Sequence, residues 1–113
     1  MKDEEHNIQV ACVNWFRYVY RECMIFAIPN GGRRDEVTGA KMKAEGVLAG
    51  VADLVILAPN RMVFFIEMKT RKGVQSMFQK QFQKLVNGMG FGYFVCRSFD
   101  EFKWAVEYEL GAR

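Results

Sequence analysis

Besides Arg61 in its turn, three charged residues stand in one of the most apolar stretches of the chain, "ADLVILAPNRMVFFIEMKT", residues 52–70. Two hydrophobic strands flank a Pro59-Asn60 turn, yet Asp53 stands near the start of the first and Glu67 and Lys69 at the end of the second. Charges inside a hydrophobic sheet are costly unless paired, hydrogen-bonded or bound to a metal. A hairpin centred on Asn60 sets Asp53 opposite Glu67, and strand alternation puts Glu67 and Lys69 on one face. Two carboxylates about 5 Å apart repel by roughly 3 kcal/mol at an effective dielectric near 20. Lys69 offsets part of this; a divalent cation offsets far more, and oxygen ligands suit Mg²⁺ and Mn²⁺. The same residues would also make a structural charge cluster, with Lys69 bridging one carboxylate and Asp53 capping the strand entrance. Glu5 precedes Ile8 by three residues and Cys12 by seven, which places it on the inward face of the first helix. There it either favours the helix N-terminus electrostatically or serves as an outer or second-metal ligand.

The elements that must carry these groups are readable from periodicity. Ile8, Cys12, Trp15 and Val19 predict an amphipathic helix over about 4–22. "MIFAI", 24–28, predicts a buried strand, stopped by Pro29-Asn30-Gly31-Gly32. A short helix is expected near 38–47, then the hairpin. Ser76 with Gln79 forms a capping box for a helix over 76–89, with Phe78, Phe82, Leu85 and Met89 on its apolar face. "GYFVC", 92–96, predicts a further buried strand, and Ser98 with Glu101 a second capping box opening a final helix that carries Phe102, Val106 and Leu110. This order predicts an α/β fold, a mixed sheet flanked by helices.

Composition narrows the classes. A chain of 113 residues, half of them hydrophobic and about a quarter charged, is expected to be one domain, 1–113, neither disordered nor membrane-embedded. The first residues, "MKDEEHNIQ", are acidic and polar, so no secretory signal is expected. Cys12, Cys23 and Cys96 are scattered and never form a C-x-x-C pair. That argues for reduced thiols in a cytoplasm rather than disulfides or a zinc site. A net charge of +3 fits an acidic substrate without demanding one.

Together, "EGVLAGVADLVIL", "FFIEMKTRKG", "SMFQKQFQ" and "FVCRSFDEF", with the upstream "EEHNIQVACVNWFR" and "IFAIPNGG", resemble the VRR-NUC domain of the PD-(D/E)xK nucleases. The likeness is to the free-standing versions of bacteriophages and bacteria and covers almost the whole chain. Glu-x-Lys alone is weak; the ordered set Glu5, Gly50-Val51-x-Asp53, Glu67-x-Lys69 and Gln79 is specific. The resemblance implies a restriction-endonuclease-like sheet and a metal-dependent endonuclease. Asp53 and Glu67 would hold the metal, and Lys69 would be the superfamily lysine. Glu5 would be the first-helix acid and Gln79 the active-site glutamine, alongside its capping role. Ala52 stands where the family usually has proline, and Met77 where proline is common at the first helical position, changes of rigidity alone.

On this basis Asp53, Glu67 and the backbone carbonyl of Met68 are expected to hold Mg²⁺ or Mn²⁺. Lys69 would orient the attacking water or stabilise transition-state charge. Products would carry 5′-phosphate and 3′-hydroxyl ends. Asn30, Gly31, Arg33 and Arg34 offer backbone amides and two cations to a phosphate, or form a plain turn with a solvated charge pair. Arg71 and Lys72, next to the site, are the better candidates for DNA contact; Lys41, Lys43, Lys80 and Lys84 are ordinary surface lysines in type and spacing. His6 reads as surface. Expected partners are DNA, in particular branched DNA such as four-way junctions, and a second copy in a homodimer. The expected location is the cytoplasm of a bacterium or a phage-infected cell. The alternatives are a non-catalytic DNA-binding or assembly module of the same fold, and sequence-specific cleavage, which the absence of a spare base-reading element disfavours.

Overall fold

The computed structural model describes residues 2–29 and 36–113. Among these the chain runs α1 (Lys2–Val19), β1 (Met24–Ala27), α2 (Glu36–Ala44), β2 (Leu54–Ala58), β3 (Met62–Met68), α3 (Met77–Gly88), β4 (Gly92–Cys96) and α4 (Phe99–Leu110). The strands lie side by side in the order β1-β2-β3-β4. The first three are antiparallel, and β4 joins β3 in parallel after the α3 crossover. This is the predicted mixed α/β sheet. The β2–β3 register is also the predicted one, from Leu54 opposite Ile66 to Ala58 opposite Met62. Asn60 and Arg61 turn the hairpin with φ of 66° and 64°, a left-handed conformation that asparagine tolerates better than most residues.

Strand alternation sorts the core into two layers. On one face Phe64, Ile66 and Met68 of β3 and Leu54 and Ile56 of β2 meet Cys12, Phe16 and Tyr20 of α1 and Phe102, Ala105 and Val106 of α4. On the other, Ala52, Phe82, Val86 and Tyr93 pack together with Phe65 and Val95 beside them. Glu67 alternates with Phe64, Ile66 and Met68, so it points to this second, smaller layer under α3. The packed Ala52 explains why an uncharged small residue suffices just before Asp53.

Three expectations are corrected. β1 is not a buried strand: it lies at the sheet edge, and only Ile25 is buried while Met24 and Phe26 are exposed. Among the described residues the smaller layer stops short of it, leaving Met24 and Phe26 uncovered by that layer. The inward face of α3 is carried by Phe82 and Val86, whereas Phe78, Leu85 and Met89 are exposed. A stripe wider than the sheet contact leaves its flank in solvent. The second capping box closes on a different donor: Ser98 accepts from the Glu101 amide at 3.1 Å, but Glu101 reaches back to the Arg97 amide at 2.7 Å. The first box, at Ser76 and Gln79, is complete. No described helix is long and apolar enough to cross a membrane.

Candidate active site at the end of the hairpin

The hairpin register brings Asp53 to Glu67 where the antiparallel and parallel parts of the sheet meet. The Asp53 carbonyl accepts from the Ile28 amide at 2.9 Å, which extends the β1–β2 ladder by one step. Its side-chain Oδ2 accepts from the Met68 amide at 2.7 Å. Asp53 thus reaches across the hairpin, and Met68, itself 1 % exposed, sets its main chain against the carboxylates.

Glu67 is also 1 % exposed, the only charged residue among the fully buried side chains described. Gln79 Nε2 donates to its Oε2 at 2.8 Å, and the Tyr93 hydroxyl donates to its Oε1 at 3.4 Å. Lys69 Nζ lies 3.7 Å from Oε2, a loose ion pair. Burial foremost, then the charge and hydrogen-bonding contact of Asp53, push the Glu67 carboxyl up to about 8, with Lys69 and Tyr93 opposing. Gln79 caps α3 and meets Glu67 at once, because its Oε1 accepts from the Ser76 amide at 2.8 Å while its amide group faces Glu67. The helix cap therefore aims the glutamine.

Glu5 stands in the first turn of α1. Burial raises its carboxyl, the Asp53 charge raises it further, and Lys69 lowers it. The acid is within electrostatic reach of the hairpin end. Yet among the described residues no three His, Cys, Asp or Glu side chains converge as a metal cage. Asp53 and Glu67 are instead a carboxylate pair, with the Met68 amide donating to Asp53. That donor set fits Mg²⁺ or Mn²⁺, which take one or two carboxylates and complete their shell with water and substrate oxygens. It does not fit a structural zinc.

Arg71 and Lys72 are exposed on the loop after β3, and Lys41, Lys43, Lys80 and Lys84 are exposed on α2 and α3. His6 is exposed. Asn30, Gly31, Arg33 and Arg34 lie outside the described residues. Cys12 and Cys96 are free and buried, and burial pushes each thiol up to about 12, so neither is a nucleophile at neutral pH. The sequence did not single out Tyr93 or Gln75. Gln75 Nε2 bridges Gln83 Oε1 at 3.0 Å and the Tyr93 hydroxyl at 3.3 Å, so a hydrogen-bonded chain runs from α3 to Glu67. Tyrosine within "GYFVC" reads as core, and only the tertiary position of β4 reveals a polar task.

A carboxylate pair with an adjacent lysine, at the end of an antiparallel hairpin joined in parallel to a fourth strand, defines a fold with solved counterparts. One structure, described as a VRR_NUC domain protein, superposes with a TM-score of 0.74 at 22% identity, covering 94% of this chain and 87% of that one. A second, a VRR_NUC domain, gives 0.65 at 18% identity, covering 92% and 95%. The chain has the VRR_NUC domain fold. No family model and no curated protein matches its sequence.

Proposed function

We propose that the protein is a metal-dependent DNA endonuclease that hydrolyses phosphodiester bonds, selective for branched DNA. The observation that carries this is Glu67: a carboxylate 1 % exposed, beside a second carboxylate and a lysine, held by two hydrogen-bond donors. Such an arrangement costs stability, and a cation between the carboxylates would offset the cost. The VRR_NUC fold of the solved counterparts adds support.

Asp53, Glu67 and the Met68 carbonyl would hold Mg²⁺ or Mn²⁺. When bound, the cation supplies Lewis-acid charge neutralisation at the phosphoryl oxygens and a water of lowered pKa. The rest falls to side chains. Asp53 is oriented by the Met68 amide and Glu67 by Gln79 and Tyr93, so neither must reorganise during the reaction. Lys69 places a positive charge where negative charge grows on the phosphoryl group or on the attacking water. Glu5 acts from the outer shell, and Arg71 and Lys72 contact backbone phosphates. Asn30, Gly31, Arg33 and Arg34 are proposed as a further phosphate contact.

One such unit offers one site, and symmetric resolution of a four-way junction needs two opposed cuts, which a two-fold homodimer provides. Leu48, Phe78 and Leu85 line a groove of about 730 Å³ between α3 and the loop joining α2 to β2, giving a second copy apolar surface to bury. A cytoplasmic location accords with three free cysteines. The test is incubation of purified protein with labelled linear, flap and four-way-junction DNA in Mg²⁺, Mn²⁺ or EDTA, with light scattering on the column eluate. Metal-dependent cutting of the junction above the linear duplex, by a dimer, is expected. Binding without cutting in either metal would favour the non-catalytic module instead.

Lys69→Ala separates the lysine's roles. An ammonium cannot ligate a cation, so metal affinity by calorimetry should change little while turnover falls roughly 10²–10³-fold, the scale of a lost transition-state donor. Lys69→Arg should rescue only in part, because the wider guanidinium positions its donors differently. Normal cleavage by Lys69→Ala would reduce Lys69 to a salt-bridge partner of Glu67.

A further inference from the structure

Lys69 and Gln79 both touch Glu67, and the chain between them leaves β3 as the loop that carries Arg71 and Lys72. That loop is held from outside. Arg97, just past the end of β4, sends its Nη1 to the carbonyls of Thr70 at 2.8 Å, Arg71 at 3.3 Å and Gly73 at 2.5 Å. The Gly73 amide closes the turn on the Thr70 carbonyl at 3.1 Å. The fold around it is tight: a Cβ at Gly73 would meet Thr70 Oγ1 at 3.2 Å and the Lys69 stem at 3.4 Å. One guanidinium thus gathers the carbonyls of a turn lying against the Lys69 side chain.

The charge of Arg97 is not spent on an acid. Among the described residues it makes no ion pair within 4 Å, and Glu101 bonds its backbone amide instead. An arginine that satisfies carbonyls and no carboxylate keeps its full positive charge in place, next to Lys69, Arg71 and Lys72. All three bonds leave Nη1, whose two N–H groups are shared among the three carbonyls, and arginine's longer, always-charged side chain carries that nitrogen out to the turn.

We propose that Arg97 is a positioning residue: it clamps the Thr70–Gly73 turn so that Arg71 and Lys72 are presented as a fixed pair of phosphate contacts beside the carboxylates. The functional half rests on the nuclease reading; the clamp itself does not. Without the clamp the turn is tethered at its far end by Gln75 and the Ser76 cap, and at its near end by the Lys69 amide on the Cys96 carbonyl at 3.0 Å. The hairpin and its carboxylates would stand while the intervening cations lose their fixed place.

The test uses Arg97→Met, which keeps the apolar stem and removes the donors, and Arg97→Lys, which keeps the charge but sets its nitrogen on a shorter side chain. Arg71 and Lys72 are themselves tryptic sites, so limited trypsinolysis with intact-mass readout reports on the turn directly. Cutting after Arg71 or Lys72 should accelerate roughly tenfold in Arg97→Met and less in Arg97→Lys, as the local opening equilibrium shifts. For a labelled four-way junction with Ca²⁺ in place of Mg²⁺, Kd should rise several-fold in Arg97→Met. The salt dependence of binding should fall by about one to two phosphate contacts. With Mg²⁺, KM should rise more than kcat falls, whereas a merely structural lesion would lower melting temperature and active fraction at unchanged KM. Unchanged cutting at 71–72 in both variants overturns the clamp. Faster cutting with wild-type Kd, salt slope and KM overturns the positioning role. If wild-type protein neither binds nor cuts the junction, the nuclease reading fails while the trypsin arm still decides the clamp.

Discussion

Glu67→Gln is expected to abolish cleavage and, in metal-free buffer at pH 8 and above, to make the protein more stable. Both effects follow from one buried carboxylate. Its carboxyl titrates near 8 in the folded chain against 4.5 ordinarily. The folded state therefore binds more protons than the unfolded state between these values, and stability falls as pH rises through that window. Stability is fully present below about 4.5 and this contribution is lost above about 8. At about 1.36 kcal/mol per pKa unit, the expected gain of the glutamine variant is on the order of a few kcal/mol. Glutamine keeps the length and an acceptor for Gln79, so packing is undisturbed. On the proposed metal-ligand role of Glu67, the same substitution removes a ligand charge, so calorimetric Mg²⁺ affinity should collapse and kcat should fall about 10³-fold or more, the scale of a lost charge-stabilising group. Asp53→Asn should behave alike in activity. Urea titrations of metal-free wild type and Glu67→Gln at pH 5 and pH 8 decide the energetic claim: the two should converge at pH 5 and separate at pH 8. A variant that cuts at the wild-type rate with unchanged metal dependence would sink the site.

Much of the hairpin and of α3 is legible in the sequence, for a specific reason. The hairpin is local, its strands are uniformly apolar, and Pro59-Asn60 marks its centre, so the pairing of Asp53 with Glu67 followed by counting. The Ser76–Gln79 box is likewise a short-range pattern, and it located the start of α3 and the glutamine together. What periodicity cannot give is the neighbour across space. Tyr93, Gln75 and Arg97 owe their tasks to β4 returning in parallel beside β3. None of the three differs in type from a core tyrosine or a surface arginine. The exposed flank of α3 shows the converse limit. Phe78 and Leu85 carry a convincing helical stripe, but how far a stripe is covered depends on the width of the layer it meets, which no single helix encodes.

Gly50→Ala should unfold the site from a position that touches neither carboxylate. Gly50 has φ of +86°, a conformation that costs a residue with a Cβ about 1–2 kcal/mol. A methyl there would also overlap the backbone carbon and oxygen of Phe78 and stand 2.8 Å from the Gln79 amide nitrogen. Backbone cannot rotate aside as a side chain can, so the first turn of α3 must move, at an overpacking cost of about 1–3 kcal/mol. The total, roughly 2–5 kcal/mol, is a large part of the stability of a small domain. The displacement also has a direction. It pushes Gln79 away from Glu67 and loosens Phe82 and Val86 over Ala52, so loss of activity should accompany loss of stability. Gly46 supplies the control: its φ is +105°, but a Cβ there meets nothing within 4 Å. Gly46→Ala therefore carries the backbone strain alone. In parallel urea denaturations Gly50→Ala should lose at least about 1 kcal/mol more than Gly46→Ala, the low end of the overpacking range. Equal losses would mean that the approach of α3 to Gly50 is not a constraint, and that something other than this glycine seats Gln79 against the buried carboxylate.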